Sequence, residues 1–217
     1  MNKLTTTIIS ASILSLSTTA MAEVQFADPD ASGIGYEWTV RLSSPEKAEI
    51  IGSTGGKGSY EPSFEAPNMG WTHTTDWVAL ELKDDAILEI KLARQEGVYE
   101  MQVDNNTGEK SFTTSGAMLY PAMSIYEGWD STTETEKGSF NSTGNFWSTI
   151  QFKAVVASLT GETSIIYRAQ LPAGKYSVNI GGVNAFYCAE TDACYKGVHG
   201  YHAIFTASPV PKMLPNF

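Results

Sequence analysis

The chain has 217 residues, 42 % of them hydrophobic, with 24 acidic against 14 basic side chains and a formal net charge of −10. An excess of that sign excludes nucleic acid and anionic lipid as partners, since both need clustered Lys and Arg, and favours cations instead. The length suits one β-rich domain around a single core.

Residues 1–22 read as a secretory signal peptide: Lys3 supplies the positive start, residues 8–14 the apolar run and Ala20-Met21-Ala22 the small-residue cleavage site. The expected mature domain is 23–217, with a net charge of −11 once Lys3 is removed. The apolar run is too short for a membrane span, and no later segment approaches the required length. The protein is therefore expected in the periplasm, at the cell surface or secreted. Cys188 and Cys194 enclose Ala-Glu-Thr-Asp-Ala, and in an oxidising compartment they are expected to form one local disulfide. Closing so small a loop stabilises by about 2 kcal/mol in the chain-entropy model. A thiolate metal site is the weaker reading, because the spacing is not C-x-x-C.

Period-two patterning recurs throughout, and no segment sustains a helical stripe. After a mobile start through Gly35, residues 36–42 alternate as the first strand. Residues 43–69 hold Gly52, Gly55, Gly56, Gly58, Pro62 and Pro67, and read as a long connection. Residues 77–82 and 87–92 read as a hairpin, with Val78, Leu80 and Leu82 on one arm and Leu88, Ile90 and Leu92 on the other facing inward. Residues 98–103 form a strand closed by a turn at 104–108. Residues 118–126 are extended, and Pro121 confines them to an edge or a bulge because it cannot donate to a ladder. Residues 130–145 read as a surface loop. Strands follow at 146–156, 164–171 and 175–180, the last two joined by a tight turn at Pro172-Ala173-Gly174, and then at 201–206. A proline-rich tail frays from about 208. The whole predicts an all-β, antiparallel sandwich of the jelly-roll kind.

No nucleophile elbow, zinc-protease helix, phosphate loop or dinucleotide fingerprint is present. No pair of acids stands in an apolar setting that would tune it for hydrolysis, so a non-catalytic protein is expected. If residues 69–73 are extended, Met69, Trp71 and His73 share one face, a row able to hold a soft metal. His199 and His202, three apart on a strand, point to opposite faces and should not form one site. His199 sides with Tyr201 and Phe205. Trp77 and Trp147 alternate away from their apolar neighbours, and with Trp38 and Trp129 they could offer glycans a stacking surface. That gives the alternative reading, a recognition module for glycan or another surface component without metal.

Several stretches together resemble the copper(I)-binding surface proteins of methane-oxidising bacteria, of the CorA and MopE kind. They are Gly70-Trp71-Thr72-His73 before the strand begun by Trp77, then Tyr120-Pro121-Ala122-Met123-Ser124-Ile125-Tyr126-Glu127-Gly128-Trp129, then Leu171-Pro172-Ala173-Gly174-Lys175-Tyr176 ahead of Gly181-Gly182. The resemblance covers roughly 68–205. It implies a β-sandwich whose copper(I) is held by two histidines and by a tryptophan oxidised to kynurenine, two residues before the first histidine. Trp71 and His73 occupy those two positions, and a peroxidase-like partner would be needed to oxidise Trp71. Tyr120 stands where the second histidine would be. Met118, on the face of Tyr120, and Met69, on the row of His73, are the substitutes the chain offers, because thioethers suit copper(I) and a phenol does not.

Overall fold

The computed structural model describes residues 22–26, 36–56, 75–97, 99–103, 110–114, 116–129, 150–183, 194 and 197–211. Twelve strands follow one another: β1 (Glu23–Phe26), β2 (Trp38–Leu42), β3 (Glu46–Gly55), β4 (Asp76–Leu82), β5 (Ala86–Arg94), β6 (Tyr99–Val103), β7 (Lys110–Thr114), β8 (Pro121–Glu127), β9 (Gln151–Ala157), β10 (Ser164–Leu171), β11 (Gly174–Gly182) and β12 (Val198–Pro209). They form a six-stranded sheet in the order β1-β2-β4-β11-β8-β9, a four-stranded sheet β10-β5-β12-β3 and the small hairpin β6-β7. Among the described strands the ladders are antiparallel except that of β2 with β4. Successive strands from β3 to β5 and from β9 to β12 alternate between the two large sheets, which is jelly-roll connectivity.

The core lies between the sheets. Val78, Leu80 and Leu82 of β4 and Val178 and Ile180 of β11 face Leu88, Ile90 and Leu92 of β5 and Tyr201, Ala203 and Phe205 of β12. Each fully buried Leu or Ile contributes about 1.5–3 kcal/mol over its exposed state. One polar side chain bridges the layers: Thr54 Oγ1 of β3 donates to the Ile180 carbonyl of β11 at 3.1 Å.

Several expectations are corrected. The start of the described chain is strand, since β1 pairs with residues 38–41 of β2, and Arg41 ties Glu23 (2.9 Å) to Glu81 (3.2 Å). Residues 46–55, read as a connection, are the ten-residue strand β3, with Ala48, Ile50, Gly52 and Thr54 turned inward. Gly52 belongs there because a Cβ would lie 2.5 Å from Tyr201 Oη. Residues 76–94 are no hairpin, because β4 and β5 lie in opposite sheets. Inward alternation on both arms is common to a hairpin and an arch, and this arch is held from outside, by Lys83 N–H on the Leu42 carbonyl (2.8 Å) and Ala173 N–H on Asp85 Oδ1 (2.9 Å). The turn at Pro172 likewise joins strands of different sheets. Pro121 opens an interior strand, β8, flanked by β11 and β9; as first residue it need not donate to the ladder, and the bulge lies further on, between Ile125 and Tyr126. β12 runs on through Pro209, and the hairpin partner β7 had no sequence signal.

Candidate functional site

One end of the sandwich gathers Met118, Tyr120, His199 and Cys194. There β3 and β11 finish while β4, β8 and β12 begin. The chain leaves the described structure after Gly56 and returns at Thr75, and both residues sit at this end. Gly56 N–H donates to the Gly197 carbonyl at 3.2 Å, and a Cβ on Gly182 would lie 2.5 Å from the Gly56 oxygen. Thr75 is buried, and its hydroxyl accepts from Asn179 Nδ2 at 2.6 Å. Met69, Trp71 and His73 lie between these two residues, outside the described set.

Met118 and Tyr120 stand at the same end, just before β8. Leu119 enters the core and is fully buried, which leaves its two neighbours outside that core. Met118 is 43 % exposed, and its N–H donates to His199 Nδ1 at 3.3 Å. Tyr120 packs on Ala122 and Val183, and the Arg94 guanidinium lies 5.2 Å over its ring. Arg94 is held there by the Leu119 carbonyl, at 2.8 Å from Nε. A fixed cation over the ring disfavours a metal ion at that phenol. Between the two, Met118 is the better-suited ligand.

His199 and His202 point to opposite faces, as alternation requires. His199 is buried on the side of Tyr201 and Phe205, against Gly116 and Gly56. His202 Nε2 on the outer face lies 3.0 Å from Glu49 Oε2. The contact of His199 with Met118, 81 positions apart, has no signal in the sequence. Cys194 is buried and is not a free thiol, whereas Cys188 lies outside the described residues. Among the described residues no group of three or more His, Cys, Asp or Glu is placed to hold a metal ion.

Two further clusters include residues at the start of β4. On the outer face of the six-stranded sheet Trp77 packs with Tyr126, Tyr36, Ile150 and Phe152, away from the main core as alternation predicted. Trp129 is occupied within the molecule: its indole N–H is shared between the Leu80 and Tyr176 carbonyls, 3.0 Å each, and Lys175 Nζ stands 4.3 Å over its ring. That leaves it poorly suited as an open sugar platform, and Trp147 lies outside the described residues. The second cluster corrects the expectation that no acid pair is tuned by its surroundings. Burial, and then the charge of Asp76, push the Glu37 carboxyl up to about 8.

The fold defines the class as an all-β sandwich with two antiparallel-dominated sheets. No family model and no curated protein matches the chain in sequence. Among solved structures, it is similar to the surface-associated copper-binding protein CorA of Methylomicrobium album BG8, with 11 % identity over 78 % of this chain and 99 % of that one and a TM-score of 0.45. It is similar also to the secreted protein MopE of Methylococcus capsulatus, with 12 % identity, 74 % and 84 % coverage and a TM-score of 0.37. A third likeness is to PliG of Aeromonas hydrophila, a periplasmic inhibitor of g-type lysozyme, with 9 % identity, 78 % and 97 % coverage and a TM-score of 0.30. None of these likenesses bears on which residues of this chain bind a ligand. Among the described residues no helix is long and apolar enough to cross a membrane.

Proposed function

We propose that this is an exported, non-catalytic copper(I)-binding protein of copper acquisition or homeostasis, cleaved before Glu23 and carrying a Cys188–Cys194 disulfide. His73 is its principal ligand and Met118 the leading thioether, with Met69 and Trp71 on the His73 row and Tyr120 the weakest candidate. The observation that carries the reading is the half-open Met118 thioether at the very end of the sandwich where the chain departs at Gly56 and returns at Thr75. Imidazole and thioether are a donor set matched to a soft monovalent ion. The sequence resemblance at Gly70-Trp71-Thr72-His73 supports the same assignment, and the acidic balance of the chain is compatible with a cationic cargo. Nothing on the described surface favours the glycan-binding alternative over it, since Trp129 is already engaged.

Anaerobic copper(I) added to a thousandfold excess over its dissociation constant should stabilise the folded protein by about 4 kcal/mol, visible as a thermal shift. His73→Ala should abolish the shift, and Met118→Leu should reduce it at nearly constant apolar volume. An unshifted wild-type melt would sink the proposal. Mass spectrometry of the Trp71 peptide from native material tests separately whether an oxidising partner has acted on the indole.

A further inference from the structure

We propose that His199 is the positioning residue of the Met118 thioether: its ring accepts the Met118 N–H and locks the chain ahead of β8 into a preorganised ligand arm. What the arm holds rests on the copper(I) function proposed above, whereas how it is built does not. Residues 116–120 lie outside the named strands, yet their backbone is tied to elements of both large sheets. Gly116 N–H donates to the Val198 carbonyl at 2.9 Å and its own carbonyl accepts from Gly200 N–H at 3.0 Å, a parallel bridge onto β12. At the other end of the arm the Leu119 carbonyl accepts from Arg94 Nε of β5 at 2.8 Å. The Tyr120 carbonyl accepts from Val183 N–H, just past β11, at 2.7 Å. Met118 N–H falls between these anchors, and its partner is a side chain, His199 Nδ1 at 3.3 Å.

The ring is seated for this contact. His199 is buried, and glycines leave it room: a Cβ on Gly116 would collide with Nδ1, and one on Gly56 would lie 3.2 Å from Cδ2. In a neutral imidazole the nitrogen that accepts leaves the ring proton on the other, so here Nδ1 is the acceptor and Nε2 holds the proton. Leu119 is fully buried in the core, which turns Met118 the other way and leaves it 43 % exposed. The thioether is thus open while the backbone that carries it is fixed on both sides. A group ordered before its ligand arrives binds more tightly by the entropy it no longer loses, roughly two- to tenfold for one side chain.

The metal-free full mature protein is measured first. Nitrogen NMR should show His199 Nδ1 unprotonated and scalar-coupled to the Met118 amide, with slow exchange of that amide. His199→Phe keeps the ring's bulk and removes the acceptor, so Met118 exchange should rise roughly two- to tenfold, with the Met118 methyl resonance moved and the amides of the β12–β5 ladder unchanged. His199→Asn, whose carboxamide oxygen can take the place of Nδ1, should restore both. Gly116→Ala, which pushes on Nδ1 without altering the ring, should behave like His199→Phe. With anaerobic copper(I) as the probe, affinity should fall roughly two- to tenfold in His199→Phe and recover in His199→Asn. An uncoupled, fast-exchanging Met118 amide in the wild type would overturn the assignment. So would a folded His199→Phe with unchanged Met118 exchange, or a His199→Asn that loses as much as His199→Phe. Wild type that shows the coupling and the exchange pattern but takes up no copper would refute the copper(I) function and leave the arm standing. Should the variants fail to fold, the wild-type coupling decides alone.

Discussion

Gly52→Ala distinguishes a glycine that makes room in a packed strand from one that supplies slack in a loop. Gly52 lies in β3 directly opposite Tyr201 of β12, and an added Cβ would come 2.5 Å from Tyr201 Oη and 2.6 Å from its Cζ. Both are far inside the 3.5–4.0 Å optimum for heavy-atom contact. The ring cannot retreat easily, because it is fully buried and its hydroxyl is bonded to Asp76. Overpacking of this kind costs roughly 1–3 kcal/mol, and displacing the phenol from a charged acceptor would add about 1.5–3. The opposing gain from a stiffer unfolded chain is only about 0.4–1 kcal/mol. A net loss of about 2–5 kcal/mol is expected, or a melting temperature lower by roughly 5–15 °C for a chain of this size. Thermal unfolding followed by circular dichroism, with urea titration as a check, measures it. A variant melting at or above the wild type would show that Gly52 is not packed beneath Tyr201, and the assignment of β3 to the core would fail.

The pH profile of the metal-free protein carries a definite sign. Glu37 has a folded pKa of about 8, raised from 4.5, so its contribution is full below pH 4.5 and is lost as pH rises to 8; the slope is at most about 1.4 kcal/mol per unit, or some 4–5 kcal/mol in all. Glu37→Gln should flatten that slope, and a wild-type stability constant over pH 5–8 would contradict it. Glu162 has the opposite sign, since its own backbone N–H and the Thr160 and Ser158 groups, the Thr160 hydroxyl foremost, hold it down at about 2, and stability is lost as pH falls from 4.5 toward that value. Leu88→Ala should cost about 2–5 kcal/mol in urea unfolding, whereas Ile166→Ala, 55 % exposed on the outer face, should stay within about 0.5; equal losses would contradict the core assignment. Trp129→Phe removes an N–H shared by two carbonyls and should cost about 1–2 kcal/mol, and no loss by the same assay would return that ring to the surface.

Period-two alternation made the strands legible and their partners illegible. Val78, Leu80 and Leu82 face the core as the pattern required, yet the same pattern is written by a hairpin and by an arch between sheets, so it does not reveal that β4 and β5 lie in opposite sheets. β3 was hidden because its glycines resemble loop punctuation, and only the ring of Tyr201, 149 positions away, explains one of them. β1 is four residues long, too short for alternation to register. At the candidate site the opposite faces of His199 and His202 followed from strand geometry. The approach of Met118 to His199 and of the Glu37 carboxylate to the Trp77 N–H depends on which strands meet, which local sequence does not encode.

The proposed copper(I) site joins His73 to a thioether. X-ray absorption at the copper edge, on full mature protein loaded anaerobically and then desalted, reads the ligand set directly. Retained copper with both imidazole nitrogen and sulfur neighbours is expected, with the copper lost in His73→Ala and the sulfur signal weakened or lost in Met118→Leu. Wild-type protein that retains no copper after desalting, or copper retained unchanged in His73→Ala, would rule out this site.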